Sequence, residues 1–178
     1  MRRMSRTRRP LYIGLLKDTP LGNVWLAVTE QGLAAVHSAK TRQGFESYLI
    51  SRFDSPLLED QAKTARAARE IKEYLDGKRR VFQLKIDWSV LKPFQQRVLK
   101  ITTAIPYGET RTYREIAQQI GNPRAARAVG RAQATNPMPL VIPCHRVIGA
   151  DGKLHGYGAW KGLSTKEWLL VMEGAVIA

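Results

Sequence analysis

A chain of 178 residues is long enough for one full domain or two small ones with cores of their own. Its 29 Lys and Arg against 15 Asp and Glu leave a net charge of +14, so a polyanion such as nucleic acid is the expected partner rather than an ordinary neutral substrate. The single cysteine excludes an intramolecular disulfide framework, the three scattered histidines argue against a structural zinc site, and no apolar run approaches the roughly 20 residues that span a bilayer. With no secretory core at the N-terminus, a soluble intracellular, cytoplasmic protein without metal or cofactor is expected.

Residues 1–10 hold five arginines and no apolar periodicity, which reads as a basic flexible arm: a tether to phosphates, an import signal in a eukaryote, or a solvated tail. Three β-like stretches follow at 11–16, 23–29 and 33–38, split by Thr19-Pro20-Leu21-Gly22 and Glu30-Gln31-Gly32, and their spacing predicts a meander. Helices are predicted at 41–53 and 58–76, the second with Ala68, Ile71 and Leu75 on one face and Gly77 to end it. A further strand is predicted at 81–86. This half gathers no reactive side chains, and His37 reads as a packed residue. Residues 11–88 therefore read as a scaffold domain.

The character changes at 88–93, and a second domain is placed at 89–178. Pro93 suits the first turn of a helix in which Phe94, Val98, Ile101 and Ile105 recur at helical spacing, ending before Pro106-Tyr107-Gly108. Thr112-Tyr113-Arg114-Glu115 is a capping box, followed by an apolar stripe of Tyr113, Ile116, Ala117 and Ile120 up to Gly121. Asn122 and Pro123 open another helix over 123–135, which completes helix-turn-helix syntax. That helix alternates Ala125, Ala126, Ala128 and Gly130 with Arg124, Arg127 and Arg131, so it suits close fit to a narrow groove, phosphate pairing and a guanidinium inserted into the base stack. A helix packed tightly on a neighbour is the plain alternative. Charge favours nucleic acid: from Ser89 onward twelve Lys and Arg meet five Asp and Glu, and the arm adds five more positive charges.

Cys144 lies within Pro143-Cys144-His145-Arg146-Val147-Ile148. Val141 and Ile142 predict a short buried strand that Pro143 ends by removing an N–H, so the thiol sits at the exit of a rigid segment. A free Cys is most often a small buried hydrophobe. Here an adjacent imidazole offers a base, although His145 cannot share a strand face with Cys144 and must reach the sulfur around a turn or through a water.

Pro143-Cys144-His145-Arg146-Val147, preceded by Asn136-Pro137 and the helix-turn-helix, resembles the alkylguanine-DNA alkyltransferase family. The likeness covers nearly all of 94–174, with Ile105-Pro106-Tyr107-Gly108-Glu109, Arg124-Ala125-Ala126-Arg127-Ala128-Val129-Gly130 and residues 169–174 in the family's order. The first half resembles the family only in its pattern of elements. The resemblance implies an α+β fold: an N-terminal ribonuclease-H-like domain, then a mostly helical C-terminal domain with a winged-helix-like helix-turn-helix. It also implies direct-reversal repair, in which O6-alkylguanine, and O4-alkylthymine with it, is flipped out of duplex DNA and its alkyl group moves irreversibly to the cysteine. A monomer is expected, with clustering on DNA left open.

The same resemblance assigns roles. Cys144 is the acceptor, attacking as thiolate, which is scarce for a thiol of pKa about 8.5. His145 takes its proton through a water, Glu173 holds the far ring nitrogen, Asn136 ties the helix to the cysteine segment, and Tyr113 donates to guanine N3. Arg127 fills the vacated stack, offsetting part of an unstacking cost of a few kcal/mol, with Arg124, Ala125, Ala126, Arg131 and Thr112 along the DNA. Val147 and the Cys144 carbonyl read the base edge, while Tyr157, Gly158, Ala159, Trp160 and Pro139 line the pocket. The loop at 158–163 departs from the family pattern: it is two residues longer, carries Gly158 where many members have serine, and adds Trp160. His155 reads as a surface residue. Two other classes remain: a helix-turn-helix regulator that only binds DNA, which would not need Cys144, His145 and Glu173, and a cysteine hydrolase, for which the charge would be incidental.

Overall fold

The computed structural model describes residues 9–176, so the arginine-rich stretch 1–8 lies outside the described residues. Strands β1 (Leu11–Thr19), β2 (Gly22–Thr29) and β3 (Gly32–His37) form the antiparallel meander. Helix α1 (Arg42–Arg52) begins at Thr41, whose side chain accepts from the Gly44 N–H, and buries Phe45 and Leu49 one turn apart. The predicted helix at 58–76 starts later: β4 (Leu57–Glu59) pairs in parallel with the open edge of β1, Leu11 opposite Leu57, giving the sheet order β3-β2-β1-β4. Only then does Asp60 cap α2 (Gln61–Leu75), accepting from the Lys63 N–H. An exposed edge with unpaired backbone groups won Leu58 and Glu59 from the helix.

Helix α2 buries Ala67, Ile71, Tyr74 and Leu75 against the sheet. It lies close because of Gly14 in β1: a Cβ there would meet Thr64 Oγ1 at 2.0 Å. The strand predicted at 81–86 does not form; a single bridge joins Ile86 to Leu33. Side chains supply what a ladder would have: Glu70 accepts the Gln83 N–H at 2.7 Å, and Arg66 donates to the Gln83 carbonyl at 2.8 Å.

After a 3-10 turn (Trp88–Val90), α3 (Pro93–Thr103), β5 (Arg111–Thr112) and α4 (Tyr113–Gln119) follow, with both halves of the Thr112–Glu115 capping box in place. The helix predicted at 123–135 splits into a 3-10 turn (Pro123–Ala125) and α5 (Ala126–Ala134). Val98, Ile116, Ala117, Val129, Ala132 and Val147 form the core between these helices. The strand predicted at Val141-Ile142 is also absent. Pro137, Pro139 and Pro143 withhold three N–H groups, and the segment folds on itself instead, with Ile142 N–H donating to Met138 O and Cys144 N–H to Ile142 O. Cys144–Arg146 is one 3-10 turn, and β6 (Val147–Ile148) pairs in parallel with β5, Arg111 opposite Val147.

The last helix, α6 (Leu163–Met172), ends at Gly174, whose φ of 70° lets its N–H bond Val171 O and the next N–H bond Leu170 O. That stop fixes Glu173 as the last residue of the helix turn. The halves share a core: Val24, Leu26, Ile71 and Tyr74 cluster with Met138, Leu140, Ile142 and Leu169, and the Val36 N–H donates to Pro137 O at 2.8 Å. Among the described residues no helix is long and apolar enough to cross a membrane.

Candidate active site

Cys144 is 6% exposed and faces a cavity of about 150 Å³. Its loop is braced by Asn136, whose amide nitrogen donates to Ile142 O at 3.0 Å and whose amide oxygen accepts the Met138 N–H at 3.0 Å. The end of the arginine-bearing helix is thereby bonded directly to the cysteine segment. Burial pushes the Cys144 thiol up, and a hydrogen bond from Asn136 and the positive charge of Lys166 offset part of that rise. The resting sulfur is therefore a thiol that needs a base.

His145 is fully buried. Its Nε2 lies 2.9 Å from Glu173 Oε1, while its Nδ1 is buried with no hydrogen-bond partner among the described residues. Burial lowers the His145 pKa more than Glu173 raises it, so the ring is neutral near pH 7. Burial also pushes the Glu173 carboxyl up, but hydrogen bonds from His145 and Arg146 outweigh it and hold the group well below the usual carboxylate range. An ionised Glu173 fixes the tautomer: Nε2–H donates to it and Nδ1 keeps a free lone pair. Two Arg146 nitrogens at 2.9 Å, the Gly108 N–H at 3.2 Å and the Tyr74 hydroxyl at 2.5 Å complete its shell.

Tyr113 donates its hydroxyl to His155 O at 3.1 Å, and burial followed by the charge on Cys144 pushes its pKa up to about 12. The Val147 carbonyl, expected to read a base, already accepts Lys166 Nζ at 2.6 Å, and the Val147 N–H donates to the Cys144 carbonyl. The Cys144 cavity is lined by Asn136, Pro139, Tyr157, Gly158 and Ala159, but Trp160 lines a neighbouring groove with Ser38 and Trp168. Trp160 holds that place through its backbone N–H, which donates to Ser38 Oγ at 3.3 Å.

On the DNA-facing side expected from the sequence, Arg124, Arg127 and Arg131 are exposed, whereas Ala125 and Ala126 pack half-buried on the helical core. Thr112 spends its hydroxyl on Glu115. His155 is exposed and paired with Asp151. No group of three or more His, Cys, Asp or Glu among the described residues is placed to hold a metal.

Six contributors escaped the sequence reading. Lys166 is fully buried, donates to Val147 O and His155 O, and has its pKa lowered to about 8 by burial. Its signal was present: it lies two helical turns before Glu173, on the same face. Arg146 sits beside His145 in the motif itself. The other four overturn the reading of the first half as a bare scaffold: Tyr74 reaches Glu173, and His37, Tyr48 and Arg52 wall the Cys144 cavity. His37 packs against Tyr48 with ring centroids 4.0 Å apart and planes tilted by 30°, and its buried Nδ1 has no partner among the described residues.

The 6-O-methylguanine DNA methyltransferase ribonuclease-like domain model matches residues 11–88, and the same enzyme's DNA-binding domain model matches residues 93–175. A methylated-DNA–protein-cysteine methyltransferase of Methanosarcina barkeri is 44% identical over 156 residues, 88% of this chain and 93% of the relative. One from Mycobacterium leprae is 47% identical over 88% of each chain. The crystal structure of Mycobacterium tuberculosis OGT in complex with DNA superposes with a TM-score of 0.76 at 38% identity, covering 92% of both chains. Both halves match in order, and next to the buried thiol an imidazole is bonded to an ionised carboxylate: the chain belongs to the 6-O-methylguanine DNA methyltransferase family.

Proposed function

We propose that this chain repairs O6-alkylguanine in duplex DNA by direct reversal, moving the alkyl group to the sulfur of Cys144 once per molecule. The observation that carries the assignment to Cys144 is the arrangement behind it: a neutral His145 tethered through Nε2–H to an ionised Glu173, with Nδ1 free to accept a proton. The thiol proton passes through a water to Nδ1, the sulfur attacks the alkyl carbon, and the carbon–O6 bond breaks with its electron pair going to guanine. Negative charge therefore develops on the guanine, where the Tyr113 hydroxyl can meet it. With its pKa near 12 the phenol stays protonated, so it stabilises the departing guanine as a hydrogen-bond donor and the proton guanine regains comes from solvent.

Exposed Arg127 is the side chain offered to the vacated stack, with Arg124 and Arg131 beside it for phosphates. O4-alkylthymine is a second substrate on the same chemistry. Such a substrate places the work wherever the genome is, cytoplasm or nucleus. The test is incubation with DNA carrying O6-methylguanine labelled in the methyl group. Label on the protein, lost in Cys144→Ser with binding retained, supports transfer; binding without label would leave a DNA-binding protein only.

A further inference from the structure

Tyr74 lies on α2, in the half of the chain remote in sequence from the cysteine, yet its hydroxyl donates to Glu173 Oε1 at 2.5 Å. It also stands 3.2 Å from His145 Nε2. Both groups are donors to the same oxygen, so they converge on Oε1 rather than bond each other. The side chain is fully buried, its ring 5.2 Å from Phe82 and edge-on to Tyr107 at 6.3 Å. Phenylalanine would fill this space equally well, and a buried hydroxyl costs free energy unless it is bonded. Burial, then the charge on Glu173, pushes the phenol well above its ordinary value, so it donates at every working pH.

We propose that Tyr74 is a positioning residue for alkyl transfer, through which the N-terminal half sets how strongly Glu173 holds the His145 ring. The proposal rests on the reading of Cys144, His145 and Glu173 as acceptor, base and orienting carboxylate. Oε1 divides its electron density among the Nε2–H, the Tyr74 hydroxyl and one Arg146 nitrogen. Taking the hydroxyl away leaves more density for Nε2–H, stabilises imidazolium and makes His145 more basic. The other groups around the ring stay as they are: Glu173 and Lys166 from α6, Arg146 and Cys144 from its own turn, and Tyr107, which carries Arg80 and Arg146 over its face. The Tyr74 hydroxyl is an uncharged donor on that oxygen, so removing it changes basicity without removing a charge.

The experiment follows single-turnover transfer from free O6-benzylguanine across pH for the full-length protein and for Tyr74→Phe. Since a His gaining a stronger acceptor titrates higher, the acid limb of the rate profile is expected to move up by about half to one pH unit. NMR titration of the His145 ring should show the same displacement. Replacing Tyr74 by a fluorinated tyrosine, a stronger donor, should move the limb the other way. A purely structural role would lower the rate at all pH values and leave the limb in place, and that result, or an unmoved His145 midpoint, overturns the proposal. Glu173→Gln is measured alongside. If it transfers at the parent rate, the reading of the whole relay fails; if it is slow while Tyr74→Phe is unshifted, only the role of Tyr74 fails.

Discussion

Lys166 Nζ donates to the carbonyl of Val147 at 2.6 Å, which places an ammonium group inside the core directly behind the cysteine turn. Burial lowers its pKa from 10.5 to about 8, so between those values the unfolded chain binds a proton that the folded chain does not. Stability from this group therefore rises with pH across that window, by about 3 kcal/mol at 1.36 kcal/mol per unit. Chemical denaturation at pH 8 and pH 10.5 should show this increment in the parent and not in Lys166→Met.

Glu173 works in the same sense in a more acidic window. Its folded pKa is depressed, so its contribution is complete above the ordinary carboxylate value of 4.5 and is lost as pH falls through the folded one. The parent should lose stability below pH 4.5 more steeply than Glu173→Gln. At neutral pH that variant strands Arg146 in the core, and breaking a buried pair in this way costs ~3–5 kcal/mol. Urea melts at pH 7 and pH 3.5 would measure both.

Arg127 stands exposed on α5, away from the cavity, and in the proposed role it serves only a substrate whose base has to leave a helix. Arg127→Ala should slow repair of O6-methylguanine in duplex DNA by roughly tenfold or more, given an unstacking cost of a few kcal/mol. Reaction with free O6-benzylguanine should stay within about twofold, because that substrate leaves no gap in a base stack. Equal losses on both substrates would contradict the intercalating role.

A methyl group added to Cys144 enters a site that is 6% exposed and bounded by the Asn136 bonds. Overpacking of this kind costs ~1–3 kcal/mol, which for a chain of this size lowers the melting temperature by roughly 2–4 °C per kcal/mol. The thioether has no route back to thiol, so label should stop at one equivalent per protein while the melting temperature falls with it. An alkylated protein that melts at or above the parent temperature would refute the strain.

Local signals were read well where the structure they specify is local. The Thr112–Glu115 box caps α4 as its spacing requires, and the meander follows from turn residues alone. Val141-Ile142 misled because β-branched residues favour strands, but three nearby prolines leave too few N–H groups for a ladder. The 81–86 segment misled because Glu70 and Arg66, distant in sequence, took over its backbone groups. Cys144, His145 and Glu173 were legible through motif chemistry. Tyr74 was not: it occupies the apolar stripe of α2 with Ile71 and Leu75, where a core residue and a hydrogen-bond donor give the same pattern.

The core that runs from Val24 through Tyr74 to Leu169 has a consequence for fragments of the protein. A piece containing only residues from Pro93 onward would carry the thiol, the imidazole and the carboxylate, yet would leave Met138, Leu140, Ile142 and Leu169 without their covering sheet and helix. It would also lose the Val36 bond to Pro137 and the Arg52 bond to Thr135, which clasp the cysteine segment from the other side. Such a piece should bind apolar dyes and aggregate alone. Mixed with a fragment ending near Asp87, it should recover both solubility and transfer, because the two pieces complete one interior that neither possesses by itself.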